Sequence, residues 1–286
     1  MDGICTLCKQ NRELKTSHII PSFVFQWMRK TGSEKFRNIT TPNKREQDGI
    51  KLKLLCGDCE GKFSKVETWF TRKFFHPILD RMLTDNDQQE APNLDYDEHL
   101  YVFCLSVLWR ILVYNLKRDN YPKEHKTILN QIEDEWRCFL NQSHFPRTFN
   151  SVHMWLLDKY DFEGKPEKYD LYIMRATDGT IAHGTSELFI FAKFARFQLF
   201  APIKGFDEKN FTNTKINPIS GEYLFPQTIE DERIGDFLVT RAMLIKEYSA
   251  VLSDNQLDVI NKQALKEKDK LYNSDLFRSI RDDHEL

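Results

Sequence analysis

Four cysteines in two close pairs carry the strongest chemical signal in the chain. Cys5-Thr6-Leu7-Cys8 and Cys56-Gly57-Asp58-Cys59 each set two thiols two residues apart, so that one tight turn can present both sulfurs to a single ion. Two such turns complete a tetrahedral thiolate site with metal–sulfur distances of about 2.3 Å, a donor set that suits zinc. Four thiolates fill the coordination sphere and leave no place for water. The expected Zn2+ is therefore structural, held by Cys5, Cys8, Cys56 and Cys59. The pairs stand 48 positions apart, so a folded insert must lie between them. Cys104 and Cys138 fall in predicted helices and read as core residues.

Between the pairs lies Ser17-His18-Ile19-Ile20-Pro21, and Glu60 follows the last cysteine directly. The order C-x2-C, H-I-x-P, an asparagine-bearing loop and L-L-C-x2-C at a helix start resembles the zinc-stapled HNH endonucleases of the ββα-metal (His-Me finger) group. The resemblance covers about residues 3–75. It implies a treble-clef module in which His18 is the general base that activates water against a phosphodiester. Imidazole as a class suits that task because it titrates near neutrality. It further implies one catalytic Mg2+ or Mn2+ ion. The middle asparagine of the pattern is Asn38 or Asn43, and spacing does not choose between them. The family usually places a metal ligand immediately before the base, where this chain has Ser17. Glu60 stands where the family often has His or Asn, and its carboxylate suits a hard cation. Glu60, Ser64 and Glu67 fall at i, i+4 and i+7 on one helix face, so Glu60 and Glu67 can replace the ligand missing at Ser17. The expected function is metal-dependent cleavage of nucleic acid, with DNA as the partner, and the family's usual company points to bacterial antiviral defence. The alternative is an inactive zinc module that binds nucleic acid or protein.

Charge supports a polyanion partner for this segment. Residues 1–80 hold 15 Lys and Arg against 9 Asp and Glu, whereas the rest holds 26 against 34. Lys15, Arg37, Lys51 and Lys53 are the candidates for gripping phosphates, with Lys51 and Lys53 on one strand face. No recognition helix or base-reading signature is visible, so little sequence specificity is expected.

The elements that must position these residues follow from apolar periodicity. Residues 11–20 read as a strand or hairpin arm. Phe23 to Lys30 reads as a helix with Ser22 as N-cap and Gly32 as stop. Arg37 to Gly49 is polar and reads as loop, Ile50 to Leu54 alternates as a half-buried strand, and Cys59 to Phe75 repeats apolar residues at three and four. The expected organisation is α+β: a zinc-bound module over 1–83, a linker over 84–97 and a larger mixed domain over 98–286.

In the larger part, Leu100 to Leu116 is apolar but short of the roughly 20 residues of a membrane span. It reads as a buried core helix, and Lys123 to Leu140 as a second helix. Val152 to Leu157, Tyr169 to Ala176, Thr180 to His183 and Leu188 to Phe200 read as strands, the last as two short strands or one bent one. Thr177-Asp178-Gly179-Thr180 looks like a hairpin turn. Ile229 to Ala250 and Leu257 to Tyr272 return to helix, and Ser253 with Gln256 has capping-box spacing. No catalytic motif is visible here, so this part is expected to serve regulation or a protein partner. Residues 1–9 lack an apolar stretch, and the six cysteines suit a reducing cytoplasm. The 22 phenylalanines predict an aromatic core.

Overall fold

The computed structural model describes residues 2–33, 35–39, 41–83, 94–142, 151–158, 162–272 and 274–284. The fold is mixed α+β. Strands β1 (Asp2–Ile4) and β2 (Asn11–His18) lead into helix α1 (Ser22–Lys30), the hairpin β3 (Phe36–Asn38) and β4 (Thr41–Glu46), and then β5 (Lys51–Cys56). β1, β2 and β5 form an antiparallel sheet with β2 in the centre. β5 runs directly into α2 (Gly57–Phe70), which buries Cys59, Phe63, Val66 and Phe70 at spacings of four, three and four. A π-helical turn (Thr71–Phe75) and α3 (His76–Leu83) complete this part.

Two expectations change here. Arg37 to Gly49 is a polar hairpin rather than a loop: its strands pair Phe36 with Glu46 and Arg37 with Arg45 while almost every residue stays solvated. No apolar alternation marked it because only Phe36, just before this stretch, packs against the core, while Arg37 to Glu46 contributes no buried residue among those described. Helix α1 starts at Ser22 itself with Pro21 in the cap position and no side-chain cap, and Thr31 is the C-cap.

Residues 84–93 of the segment expected as linker lie outside the described residues, and the last four, β6 (Leu94–Asp97), form a strand paired with Ser220–Tyr223. Then come α4 (Glu98–Arg118), α5 (Lys123–Gln142), β7 (His153–Leu156), α6 (Tyr169–Arg175), β8 (Thr177–His183), β9 (Leu188–Phe194) and β10 (Phe197–Lys204). The four strands form an antiparallel sheet in the order β7-β10-β9-β8. Short strands β11 (Phe211–Thr212), β12 (Ser220–Tyr223) and β13 (Thr228–Ile229) precede α7 (Glu232–Ser249), α8 (Asp254–Lys266), α9 (Lys268–Tyr272) and α10 (Asp275–His284).

β9 explains the layering. Leu188, Ile190, Ala192 and Phe194 join the large core on one sheet face, together with Leu105, Leu108 and Leu112 of α4. Phe189 and Phe191 join a second cluster on the other face with Tyr172, Ile173, Ile234 and Leu238. With both faces covered, every β9 residue is buried, and the strand is apolar throughout except for the buried Lys193. The large core also takes in Cys5, Leu54, Phe63 and Phe70, and the Phe70 ring stacks on Phe103 of α4 at 3.8 Å. One 21-residue helix, α4, has the length and hydropathy to cross a membrane, and 78% of its apolar window is buried inside the protein.

Tyr169 to Arg175 is a helix, not a strand. Its aromatic residues suggested a strand, but Tyr169, Tyr172 and Ile173 at i, i+3 and i+4 share the second cluster. Thr177 to Thr180 lies inside β8 rather than at a turn. A Cβ on Gly179 would meet Ile111 Cδ1 at 2.1 Å, so the glycine serves close helix–sheet approach. Leu188 to Phe200 is two strands turning at Ala195, whose φ is 48°.

Candidate metal centre and the basic groove beside His18

The two cysteine pairs converge. Their four sulfurs all lie within 4.8 Å of one another, with Cys8 and Cys56 Sγ 3.9 Å apart. Tetrahedral Zn–S bonds of about 2.3 Å put sulfurs about 3.8 Å apart, so the spacing fits the ion. The first pair sits on a tight turn in which the Cys5 amide donates to the Gln10 carbonyl (2.9 Å) and the Lys9 amide to the Cys5 carbonyl (2.9 Å). Lys9 closes it at φ 59°. The Thr6 amide donates to the Leu54 carbonyl, which ties the turn to β5. The second pair sits where β5 becomes α2, and the Cys56 amide donates to Cys5 Sγ at 3.3 Å.

The thiols differ in how readily they ionise. Burial raises the Cys5 pKa, but N–H groups of Cys8, Cys56 and Leu7 outweigh it and bring the pKa down to about 7. Burial, followed by contacts with the other cysteines, pushes Cys59 up, and burial likewise raises Cys8. Bringing buried thiolates together is unfavourable without a cation, and a divalent ion relieves that repulsion. The sulfur donor set fits structural zinc. Among the described residues no other group of three or more His, Cys, Asp or Glu side chains gathers in this way.

His18 ends β2, opposite Lys51 of β5. Its Nε2 lies 3.0 Å from Asp48 Oδ2, in a direction that makes the contact chiefly electrostatic, and Lys51 Nζ lies 2.6 Å from the same oxygen. Burial raises the Asp48 pKa, but Lys51, His18 and the Gly49 amide outweigh it and hold the carboxyl below its usual value. The His18 ring stacks on Phe25 with centroids 6.4 Å apart. Gly49 must be glycine here, because a Cβ would meet Phe25 Cζ at 2.2 Å. The Ile19 amide donates to the Ile50 carbonyl and closes the loop that carries Asp48. Arg110 of α4 donates to the His18 carbonyl at 3.0 Å and pairs with Glu67 at 2.8 Å.

Asp48 and Lys51 line a groove of about 1250 Å3 that also presents Arg29, Lys30, Lys44 and Arg45. The Asp48 loop is further held by Arg29, which donates to the Gln47 carbonyl at 2.5 Å.

The other expected site residues have definite places. Asn38 lines the groove from the end of β3. Asn43 accepts from the Ser253 amide (2.8 Å) and donates to the Val251 carbonyl (3.1 Å), so it caps α8. Arg37 donates to Gln256 Oε1. The capping box expected from Ser253 and Gln256 is thus shared: Ser253 accepts from the Gln256 amide, while Asn43 takes the return bond. Glu60 is half-buried near the start of α2, with Oε1 buried and without a hydrogen-bond partner. No hydrogen bond or ion pair joins Glu60 to His18 among the described residues. Glu67, expected with Glu60 to replace the ligand missing at Ser17, is paired with Arg110. Ser17 is buried, and strand alternation turns it to the face opposite His18. Lys15 pairs with Glu13, and Lys53 donates to the Leu14 carbonyl. Asp48 was not singled out in the sequence; its only local signal is an Asp-Gly pair directly before the basic strand.

Comparison with protein-family models, curated proteins and solved structures finds no match.

Proposed function

We propose that the N-terminal part is a zinc-stapled, HNH-type nuclease module that binds nucleic acid in the basic groove and uses His18 as general base. The observation that carries this reading is His18 Nε2 at 3.0 Å from Asp48, which lines that groove. The contact sets a negative charge beside one ring nitrogen, while the other can take a proton from water. The Asp48 charge then stabilises the imidazolium that forms. Arg29, Lys30, Lys44 and Arg45 supply the phosphate contacts that dominate non-specific nucleic-acid affinity. The Mg2+ or Mn2+ expected from the resemblance has no preformed set of protein ligands beside His18 among the described residues.

A second reading, a zinc module that binds nucleic acid without cutting it, draws on Ser17, which is buried in the strand position where the family carries a ligand. One experiment separates them. The full chain and His18→Ala are incubated with plasmid DNA and with RNA in Mg2+ or Mn2+. The nuclease reading expects cleavage that falls about 10²–10⁴-fold in the variant. Cleavage at full rate in His18→Ala removes His18 from the chemistry, and binding without cleavage by the unmodified chain favours the second reading.

A further inference from the structure

A second basic pocket lies on the outer side of α2 and the π turn, and it shares no residue with the groove beside His18. About 580 Å3 in volume, it is lined by Lys65, Thr68, Trp69, Arg72, Lys73 and His99, within the size range of small-ligand sites. Its floor is aromatic. The His99 ring stacks on Trp69 with centroids 5.4 Å apart and planes 18° apart, and Trp69 rests in turn on Phe74 at 5.6 Å. Asp97 Oδ1 holds His99 Nδ1 at 2.9 Å, so the ring is fixed while its side chain stays 41% exposed.

The cations are arranged around that stack. Lys65, Thr68, Trp69 and Arg72 follow i, i+3, i+4 and i+7, and thus share one helix face. The wider π turn begins at Thr71 and carries Lys73 over the Trp69 ring, with Nζ 5.7 Å from its centroid. π-turns of this kind concentrate at functional sites because they re-aim side chains at some cost to helix geometry. No carboxylate lines the pocket, and none pairs with Lys65 or Arg72 among the described residues.

We propose that this pocket binds a nucleotide unit of single-stranded nucleic acid, its base stacked on the outer face of His99 and its phosphates held by Lys65, Arg72 and Lys73. A planar ring joined to an anion satisfies both halves of the site, whereas a simple anion would leave the exposed aromatic face unused. Stacking on aromatic rings combined with cations along the backbone is how single strands are bound without sequence preference. The same chemistry would accept a free nucleotide. Binding in this pocket requires no catalysis by His18.

Tryptophan fluorescence reads this site directly, because Trp27, Trp109, Trp136 and Trp155 are buried while Trp69 is not. Full-length chain carrying His18→Ala is titrated with a short oligodeoxythymidylate and, separately, with thymidine monophosphate, following tryptophan quenching and the anisotropy of a labelled oligonucleotide. The oligonucleotide is expected to quench with the midpoint seen by anisotropy. Lys65→Glu and Arg72→Glu, both at exposed positions, are expected to weaken it about fivefold or more. The mononucleotide binding as tightly as the strand supports the pocket with a free nucleotide as its ligand. Strand binding without quenching and unchanged by both variants overturns the proposal, as does the absence of binding by either probe.

Discussion

Arg110 Nη1 donates to the carbonyl of His18 at 3.0 Å, across 92 positions of sequence, while its other terminal nitrogen pairs with Glu67 at 2.8 Å. The guanidinium is almost wholly buried and lies over the Phe63 ring, 5.4 Å from its centroid. One side chain of α4 thus fixes the end of β2 against the last turn of α2, and with it the backbone that carries the imidazole.

Removing that cation should cost more than a surface ion pair. Arg110→Met leaves a half-buried Glu67 carboxylate and an unpaired His18 carbonyl, an expected loss of about 3 kcal/mol. Urea unfolding of Arg110→Met, Glu67→Gln and the double variant measures it. The double variant should be more stable than Arg110→Met alone, because the penalty of the orphaned carboxylate is then gone.

Asp48 gives a pH-dependent test. Its pKa is depressed in the folded chain, so its contacts stabilise fully above the ordinary carboxylate value of about 4 and fade as pH falls through the lower native value. Asp48→Asn should lower Tm by about 2–4 °C at neutral pH, with the gap closing in acid. A gap of constant size from neutral to acid pH would mean that the Asp48 charge contributes nothing.

His153 should behave in the opposite manner to an exposed histidine. Its side chain is fully buried, with Nδ1 2.9 Å from Thr214 Oγ1 and Nε2 3.0 Å from Ser151 Oγ. Burial lowers its pKa to about 4 from 6.5, against the opposing pull of Glu208. The unfolded chain therefore binds a proton that the folded chain refuses, and about 3 kcal/mol of stability is lost as pH falls from 6.5 toward 4. NMR should show the His153 ring neutral until the pH approaches 4, and His153→Gln should flatten that part of the stability profile.

Asn43 should prove to be a cap. Asn43→Ala removes the acceptor for the Ser253 amide and the donor to the Val251 carbonyl, with an expected cost of about 1 kcal/mol. Hydrogen exchange across the first turn of α8 should quicken about fivefold. Cleavage, if it is observed, should continue in this variant.

What could be read in the sequence was what depends on local period and residue chemistry. The two cysteine pairs, the helix through Phe63, Val66 and Phe70, and the core helix through Leu108 announced themselves because one residue type recurs at a fixed step. Asp48 did not, because its meaning lies in a strand pairing that brings it to a histidine 30 positions away. Asn43 was a candidate for the middle asparagine and Arg37 for a phosphate contact, and only tertiary docking shows them engaged with α8. Tyr169 to Arg175 was misjudged because aromatic residues favour strands in general, whereas here their i, i+3, i+4 spacing meets an apolar cluster. Asp178-Gly179 mimicked a turn, but Asp178 is bonded by Arg241 and Tyr172, and the glycine admits Ile111.

The convergence of Cys5, Cys8, Cys56 and Cys59 underlies the proposed function, since that cluster joins the first turn to the β5–α2 junction and thereby sets β2 beside it. Metal analysis of the purified full chain tests it most directly. The account predicts about one zinc ion per chain, replaceable by cobalt with the absorption of a tetrahedral thiolate complex, and lost in Cys56→Ser together with the hydrogen-exchange protection of β2 and β5. A chain that folds with that protection intact and holds no zinc, or a Cys56→Ser variant that binds zinc as tightly as the original, would contradict it.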